Sequence, residues 1–451
     1  MKKKLAVYFI FAFLSVLFAE ETVQKKVHAL TPAKMAVKAE AGEAVFPDGS
    51  RVKFSGAELV FAGPEVKQES ITEKTPGNYD KGWEEWGPWD KKNAIVLKPK
   101  VDSLMLGALQ NGVLPDSVMV SGGGKTFKKD EDYKLSDDFG AVANLGDKLG
   151  KKGEGEIKVD YKYVPQRIDL VQAGKDGKLS VKKGVSAVVC PMIPDPDAGC
   201  AGVAGVYIYT VNHPMKFIVT GEDIFEIKQV KPVLPVNKDG VKNTLEKLKA
   251  KKDISIAFVG DSVTLGAEAG EWWSDRSKTY TGLIVSGIKK KFGVKITEVP
   301  GYAGGGDTAG GVKLFSKDIL PKKPDLVFIA FGLNDANGGK SNNPRITPGQ
   351  YKKNILTMVK KAKEAGMDVI LISPLQGTPF LGIKFDKTLP KYVEKLNEVA
   401  KEENVGFADV NTEWLNMADK GIPPYSQLHN WMNHPGTFGH ALYADVVLKF
   451  F

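Results

Sequence analysis

Ile254-Ser-Ile-Ala-Phe-Val-Gly-Asp-Ser-Val-Thr264 decides the fold of the C-terminal half. Its short apolar run, Ile254–Val259, reads as a strand buried on both faces, and the Gly-Asp-Ser turn after it opens a helix. Working outward, four more runs of this kind follow at Val294–Val299, Asp325–Phe331, Met367–Ile372 and Val405–Val410. Helical patterns fill the intervals at Tyr280–Lys291, Pro348–Ala365 and Lys387–Glu403, and a last one covers Gly436–Phe450. Strand alternating with helix predicts a parallel sheet covered on both faces. Sites in such sheets sit at the carboxyl ends of the strands.

Upstream the rhythm is different. From about Glu20 to Val236 short apolar alternations are punctuated by turn residues. Ala44-Val-Phe and Arg51-Val-Lys-Phe flank Pro47-Asp-Gly-Ser and read as a hairpin. Glu156–Tyr163, Ala204–Val211 and Lys216–Thr220 read as further strands, and no long amphipathic helix intervenes. An all-β, sandwich-like domain over 20–236 is expected. The polar, lysine-rich stretch 237–252 reads as the connection to the α/β domain at 253–451.

Composition narrows the function classes. The 451 residues, 42% hydrophobic and 26% charged, suffice for two buried cores and exclude a disordered tail. The formal charge of +9 falls to about +6 without Lys2, Lys3 and Lys4, and the rest is scattered lysine, a solvated surface rather than a nucleic-acid face. Those three lysines, the apolar run Leu5–Phe18 and Ala19 before Glu20 have the form of an export signal over 1–19. That run is shorter than the ~20 residues a membrane-spanning helix needs, and no later stretch qualifies. Cys190 and Cys200 are the only cysteines, and in an oxidising compartment they are expected to form a disulfide across their proline-rich loop. They lack the partners of a zinc site, so no metal or other cofactor is expected.

Polar residues gather at the strand ends. Ser262 follows the first strand on a tight turn, where helix-start amides favour developing negative charge, although an N-capping serine explains Gly-Asp-Ser equally simply. The glycine-rich loop Pro300–Gly311 follows the second strand and lets backbone N–H groups approach a ligand; it lacks the Gly-Lys-Ser/Thr ending of a phosphate loop. Phe331-Gly-Leu-Asn334-Asp335 ends the third strand, with Asn334 as a hydrogen-bond donor to an oxyanion. His434 precedes Pro435 on a loop and suits a general base near Ser262. His440 reads as structural, His429 is a less well placed competitor, and His28 and His213 lie in the other domain.

Together these four pieces resemble the blocks of the SGNH (GDSL-type) hydrolases. Gly260-Asp261-Ser262, Gly306-Asp307-Thr308, Gly332-Leu333-Asn334-Asp335 and His434-Pro435 match the Ser, Gly, Asn and His blocks, with Gly304 and Gly305 as alternative registers for the second. The resemblance covers about 253–451. It implies a three-layer α/β/α, flavodoxin-like sheet, with Ser262 as nucleophile and His434 as its base. The oxyanion hole it implies comprises the N–H groups of Ser262 and Gly306 and the side chain of Asn334. Where the family places an aspartate three residues before the histidine, this chain has Trp431. Asn430, a backbone carbonyl, Asp409 or Asp419 remain as groups to orient the imidazole. No Gly-x-Ser-x-Gly elbow is present, which argues against the α/β-hydrolase fold.

The leading functional reading is an exported esterase that removes acetyl or other acyl groups from carbohydrate. Trp272 and Trp273 offer stacking faces near Ser262, and Trp83, Trp86 and Trp89 form either a binding patch or a packed loop anchor. A lipase, thioesterase or acyltransferase of the same family is the second reading. The third is a catalytically inactive surface glycan-binding protein, suggested by the missing aspartate.

Overall fold

The computed structural model describes residues 26–31, 34–79, 94–97, 112–136, 140–209, 218–228, 232–270, 276–338, 343–379 and 385–451. The expected export signal, Trp83, Trp86, Trp89, Trp272, Trp273 and His213 lie outside them.

Five parallel strands form the C-terminal sheet: β1 (Ile254–Gly260), β2 (Ile296–Tyr302), β3 (Leu326–Ala330), β4 (Asp368–Ile372) and β5 (Gly406–Ala408). Their order is β2-β1-β3-β4-β5. β1 pairs with β2 through Ile254↔Ile296 to Gly260↔Tyr302 and with β3 through Ile256↔Leu326 to Gly260↔Ala330. The chain reverses its direction of travel across the sheet between β1 and β3, so a crevice opens at their carboxyl ends. β3 is apolar throughout and β1 is apolar but for Ser255, as strands covered on both faces are.

The covering helices are α1 (Lys242–Lys249), α2 (Ser262–Leu265), α3 (Tyr280–Phe292), α4 (Thr308–Leu314), α5 (Leu333–Ala336), α6 (Pro348–Glu364), α7 (Phe385–Glu403), α8 (Val410–Leu415) and α9 (Thr437–Leu448). α3 packs on α9, and α6 packs on α7. α6 starts where Thr347 accepts the Gln350 N–H and Pro348 takes the first helical position. It then buries Tyr351, Ile355, Met358, Val359 and Ala362, one helical stripe. The stretch 237–252, read as a connection with a short helix possible in it, carries α1, which buries Thr244 and Leu248, while the Thr244 N–H donates to Asp368 Oδ2. It looks polar in sequence because one narrow face meets the sheet.

The N-terminal region is antiparallel, with strands divided among small sheets around two buried clusters. The hairpin Gly42–Val45/Arg51–Phe54 forms, and Glu156–Tyr163 pairs along its full length with Lys67–Lys74. Val37, Phe54 and Leu59 face Val171, Val203 and Val206 across a sandwich-like core. Residues 218–220 of the expected strand Lys216–Thr220 form no strand; they lead into a short turn that Thr220 caps.

Cys190 and Cys200 are free thiols, which corrects the expected disulfide. Cys200 starts the strand Cys200–Ile208, while Cys190 packs against Gly436, where an added Cβ would lie 2.7 Å from its sulfur. Burial pushes the Cys190 thiol up to about 12.

The two regions share a core. Ile168, Tyr207 and Tyr209 belong to the same buried cluster as the parallel sheet. At Gly205 an added Cβ would fall 1.9 Å from the Gly421 carbonyl oxygen, so two backbones touch there with no room for a methyl group. The Lys228 N–H donates to the Asp419 carbonyl at 2.9 Å, and Ile227 bridges Lys420.

Candidate active site

β1 delivers Ser262 to the crevice. Gly260 ends the strand where an added Cβ would collide with Thr264 and the Ala330 carbonyl, so only glycine fits. Asp261 caps α2 by accepting the Val263 N–H at 3.0 Å, and Ser262 is the first helical residue. Its N–H has no acceptor within the helix, as the geometry of a helix start dictates. Ser262 Oγ lies 2.9 Å from His434 Nε2. Both residues are buried.

Burial lowers the His434 imidazole to about 3, and the neighbouring His440 and His429 add to the fall. It is therefore neutral near pH 7 and able to take up a proton. The histidine sits on a loop closed on itself. The His429 N–H donates to the His434 carbonyl at 2.8 Å, and Asn430 Oδ1 accepts the N–H groups of Met432, Asn433 and His434 at 3.0, 3.0 and 2.9 Å. Asn430 thus holds the loop backbone, and its Nδ2 donates to Asn433 Oδ1 at 3.1 Å. Of the aspartates considered from sequence, Asp409 caps α8 through the Thr412 N–H, and Asp419 pairs with Lys228. His440 is bonded into the core, with Nδ1 accepting the Tyr280 N–H and Nε2 donating to the Ala267 carbonyl. His429 Nε2 faces the buried carboxylate of Glu268 at 3.6 Å.

Asn334 stands at the carboxyl end of β3. Gly332, at φ 142°, turns the chain there against Pro374. Asn334 Nδ2 donates to the Gly306 carbonyl at 2.9 Å, and its second hydrogen remains for another acceptor. The Gly306 N–H donates to the Ala303 carbonyl at 3.0 Å, closing a turn. In this geometry it supplies the loop rather than the pocket, and Gly305 beside it adopts φ 68°.

One buried latch was not legible as such in the sequence. The Thr308 N–H and Oγ donate to Asp335, fastening the start of α4 to the end of β3, and Asn354 Nδ2 donates to Thr308 Oγ1 at 3.0 Å. Burial pushes the Asp335 carboxyl up to about 6, against the pull of the Thr308 bonds. The available signal was an aspartate at a buried strand end opposite a threonine at a helix start. Burial, and then repulsion from Asp335, raises Asp261 from 3.8 to about 7.

A pH effect on stability follows. The folded chain keeps the Asp261 proton that the unfolded chain releases as pH rises from about 4 to 7, so this carboxyl lowers wild-type stability across that window. Asp261→Asn retains a capping oxygen without the charge. Its unfolding free energy is expected to match wild type near pH 4 and to exceed it by on the order of 2 kcal/mol at pH 8, measured by urea denaturation at both.

Residues 258–442 match the model of the GDSL-like Lipase/Acylhydrolase family. The chain is 31% identical over 70 residues to the uncharacterized lipoprotein YqeF of Bacillus subtilis, covering 15% of this chain and 29% of that one. It therefore spans under a third of that relative's length. It is 22% identical over 206 residues to an acetylxylan esterase of Geobacillus stearothermophilus, covering 43% of this chain and 92% of that one. Among solved structures, the acetylxylan esterase Axe2 of the same organism aligns with a TM-score of 0.38 at 20% identity, over 44% of this chain and 93% of that one. Among the described residues no helix is long and apolar enough to cross a membrane, and no three His, Cys, Asp or Glu side chains group as metal ligands.

Proposed function

We propose that the chain is an exported serine esterase that removes acyl groups, acetyl foremost, from carbohydrate. The observation that carries this reading is the 2.9 Å hydrogen bond between Ser262 Oγ and His434 Nε2 at the crevice of the sheet, with Asn334 at the neighbouring strand end. In the first step His434 Nε2 takes the serine proton as Oγ attacks the ester carbonyl carbon. The oxyanion forms against the N–H of Ser262 and the second Nδ2 hydrogen of Asn334. Collapse breaks the bond to the sugar oxygen, which takes the proton from Nε2 and leaves. Water then repeats the sequence on the acyl-serine, releasing the carboxylic acid and restoring Ser262.

The carbohydrate part of the reading is supported by the acetylxylan esterase relative, and export by the Lys2–Ala19 pattern. The test is release of acid from acetylated xylan and from chromogenic esters of increasing chain length. Deacetylation of the polysaccharide with a fall in rate beyond short acyl chains is the expected result. A preference for long acyl chains assigns the chain to the lipase or thioesterase reading instead. No turnover of any ester, with glycan binding intact, assigns it to the non-enzymatic one.

A further inference from the structure

Trp431 occupies the place where the family has its aspartate, and its surroundings are unusual. It is fully buried yet adopts φ 57°, a conformation that bulky side chains rarely tolerate and that persists only where packing imposes it. The imposing partner comes from the N-terminal region. The Trp431 indole stacks on the Tyr209 ring with centroids 5.9 Å apart and planes 14° apart, and Tyr209 stacks on Tyr207 at 4.1 Å. Tyr425 closes the group with its ring edge-on to Tyr207 at 5.8 Å.

The loop that carries Trp431 transmits this grip. Leu428 pairs with Pro435 across its base, the Trp431 N–H donates to the Leu428 carbonyl at 3.1 Å, and Asn430 Oδ1 gathers the three following N–H groups. Trp431 and His434 are therefore two points on one rigid piece, the first set in the N-terminal region and the second on Ser262. A second hold lies downstream, where Gln427 Nε2 donates to the Pro191 carbonyl at 2.7 Å and Cys190, at φ 49°, packs on Gly436. The strained apolar positions of the two regions thus converge on the histidine loop.

We propose that Trp431, seated on Tyr209, is a positioning residue that fixes the His434 imidazole against Ser262, so that the N-terminal region is a working part of the hydrolase and not only an accessory module. This rests on the serine-esterase reading above. Packing of this kind can hold an embedded ring in one orientation by leaving its backbone no other place to go. The titratable groups facing this assembly are His429 on the same loop, His440 on α9, Glu268 after α2, which faces His429, the Cys190 thiol, and Asp223 and Glu222, which act on Tyr209 and Tyr425.

The test uses the full chain and an activated acetyl ester, with kcat and KM measured between about pH 4 and 9. Trp431→Ala and Tyr209→Leu are expected to lower kcat by about 10- to 100-fold with KM little changed. In both, the acid limb of kcat/KM is expected to move up toward the ordinary histidine range near 6.5 as water reaches the imidazole. Trp431→Phe, which keeps a stacking ring, is expected to retain most of the rate. Tyr209→Leu keeps apolar bulk in the N-terminal region and carries the decision if Trp431→Ala fails to fold. Wild-type kcat and an unmoved acid limb in a folded Trp431→Ala or Tyr209→Leu chain overturn the proposal alone. Absence of Ser262-dependent turnover in the wild type overturns the esterase reading, and the positioning role falls with it.

Discussion

Ser262→Ala is expected to abolish labelling by a fluorophosphonate ester and to lower kcat by about 10⁴-fold or more. In the proposed reaction the hydroxyl is the atom that becomes acylated. His434→Ala is expected to fall as far, because an unactivated serine hydroxyl is a weak nucleophile. Since Oγ and Nε2 act as one unit at 2.9 Å, the double variant is expected to be little slower than either single one. Rates on an acetyl ester together with probe labelling check this. A Ser262→Ala chain that still labels, or that retains wild-type turnover, overturns the assignment.

Asn334→Ala comes next in size. Nδ2 has two hydrogens, and the one on the Gly306 carbonyl fixes the amide in place. The other points its charge at an oxyanion that exists only along the reaction path, so its loss falls on kcat rather than KM. Removing one such donor lowers kcat by about 10²–10³-fold. The expectation is sharpened by the Gly306 N–H, which is already bonded to Ala303 and gives the pocket no third donor in this geometry. A large rise in KM with kcat preserved in Asn334→Ala contradicts an oxyanion role for the side chain.

The α/β half was readily legible because its physics is local. Runs such as Ile254–Val259 and Asp325–Phe331 are apolar on both faces, and Thr347-Pro348 and Gly293 mark helix ends through their own backbone preferences. Ser262, Asn334 and His434 were singled out because each follows a strand or precedes a helix, positions that a parallel sheet gathers at one edge. The single-turn α2 and α5 gave no periodic signal, being shorter than the window a helical pattern needs. Long-range pairings were equally silent. Nothing in the residues around Tyr209 announces Trp431 as its partner, and nothing near Cys190 announces Gly436. Asn430 was read as a support for the imidazole, and its carbonyl instead gathers the loop's own backbone.

The glycine-to-glycine seam at Gly205 and Gly421 sets a limit on how this protein can be taken apart. Two stretches of backbone in contact leave no room at that point for any residue larger than glycine, so a methyl group at position 205 would force the halves apart. Cutting between the halves would leave the aromatic rings around Trp431 facing solvent, and grafting the catalytic half onto another partner would require that partner to bring an equally bare stretch of chain. The two halves are to be handled as one piece.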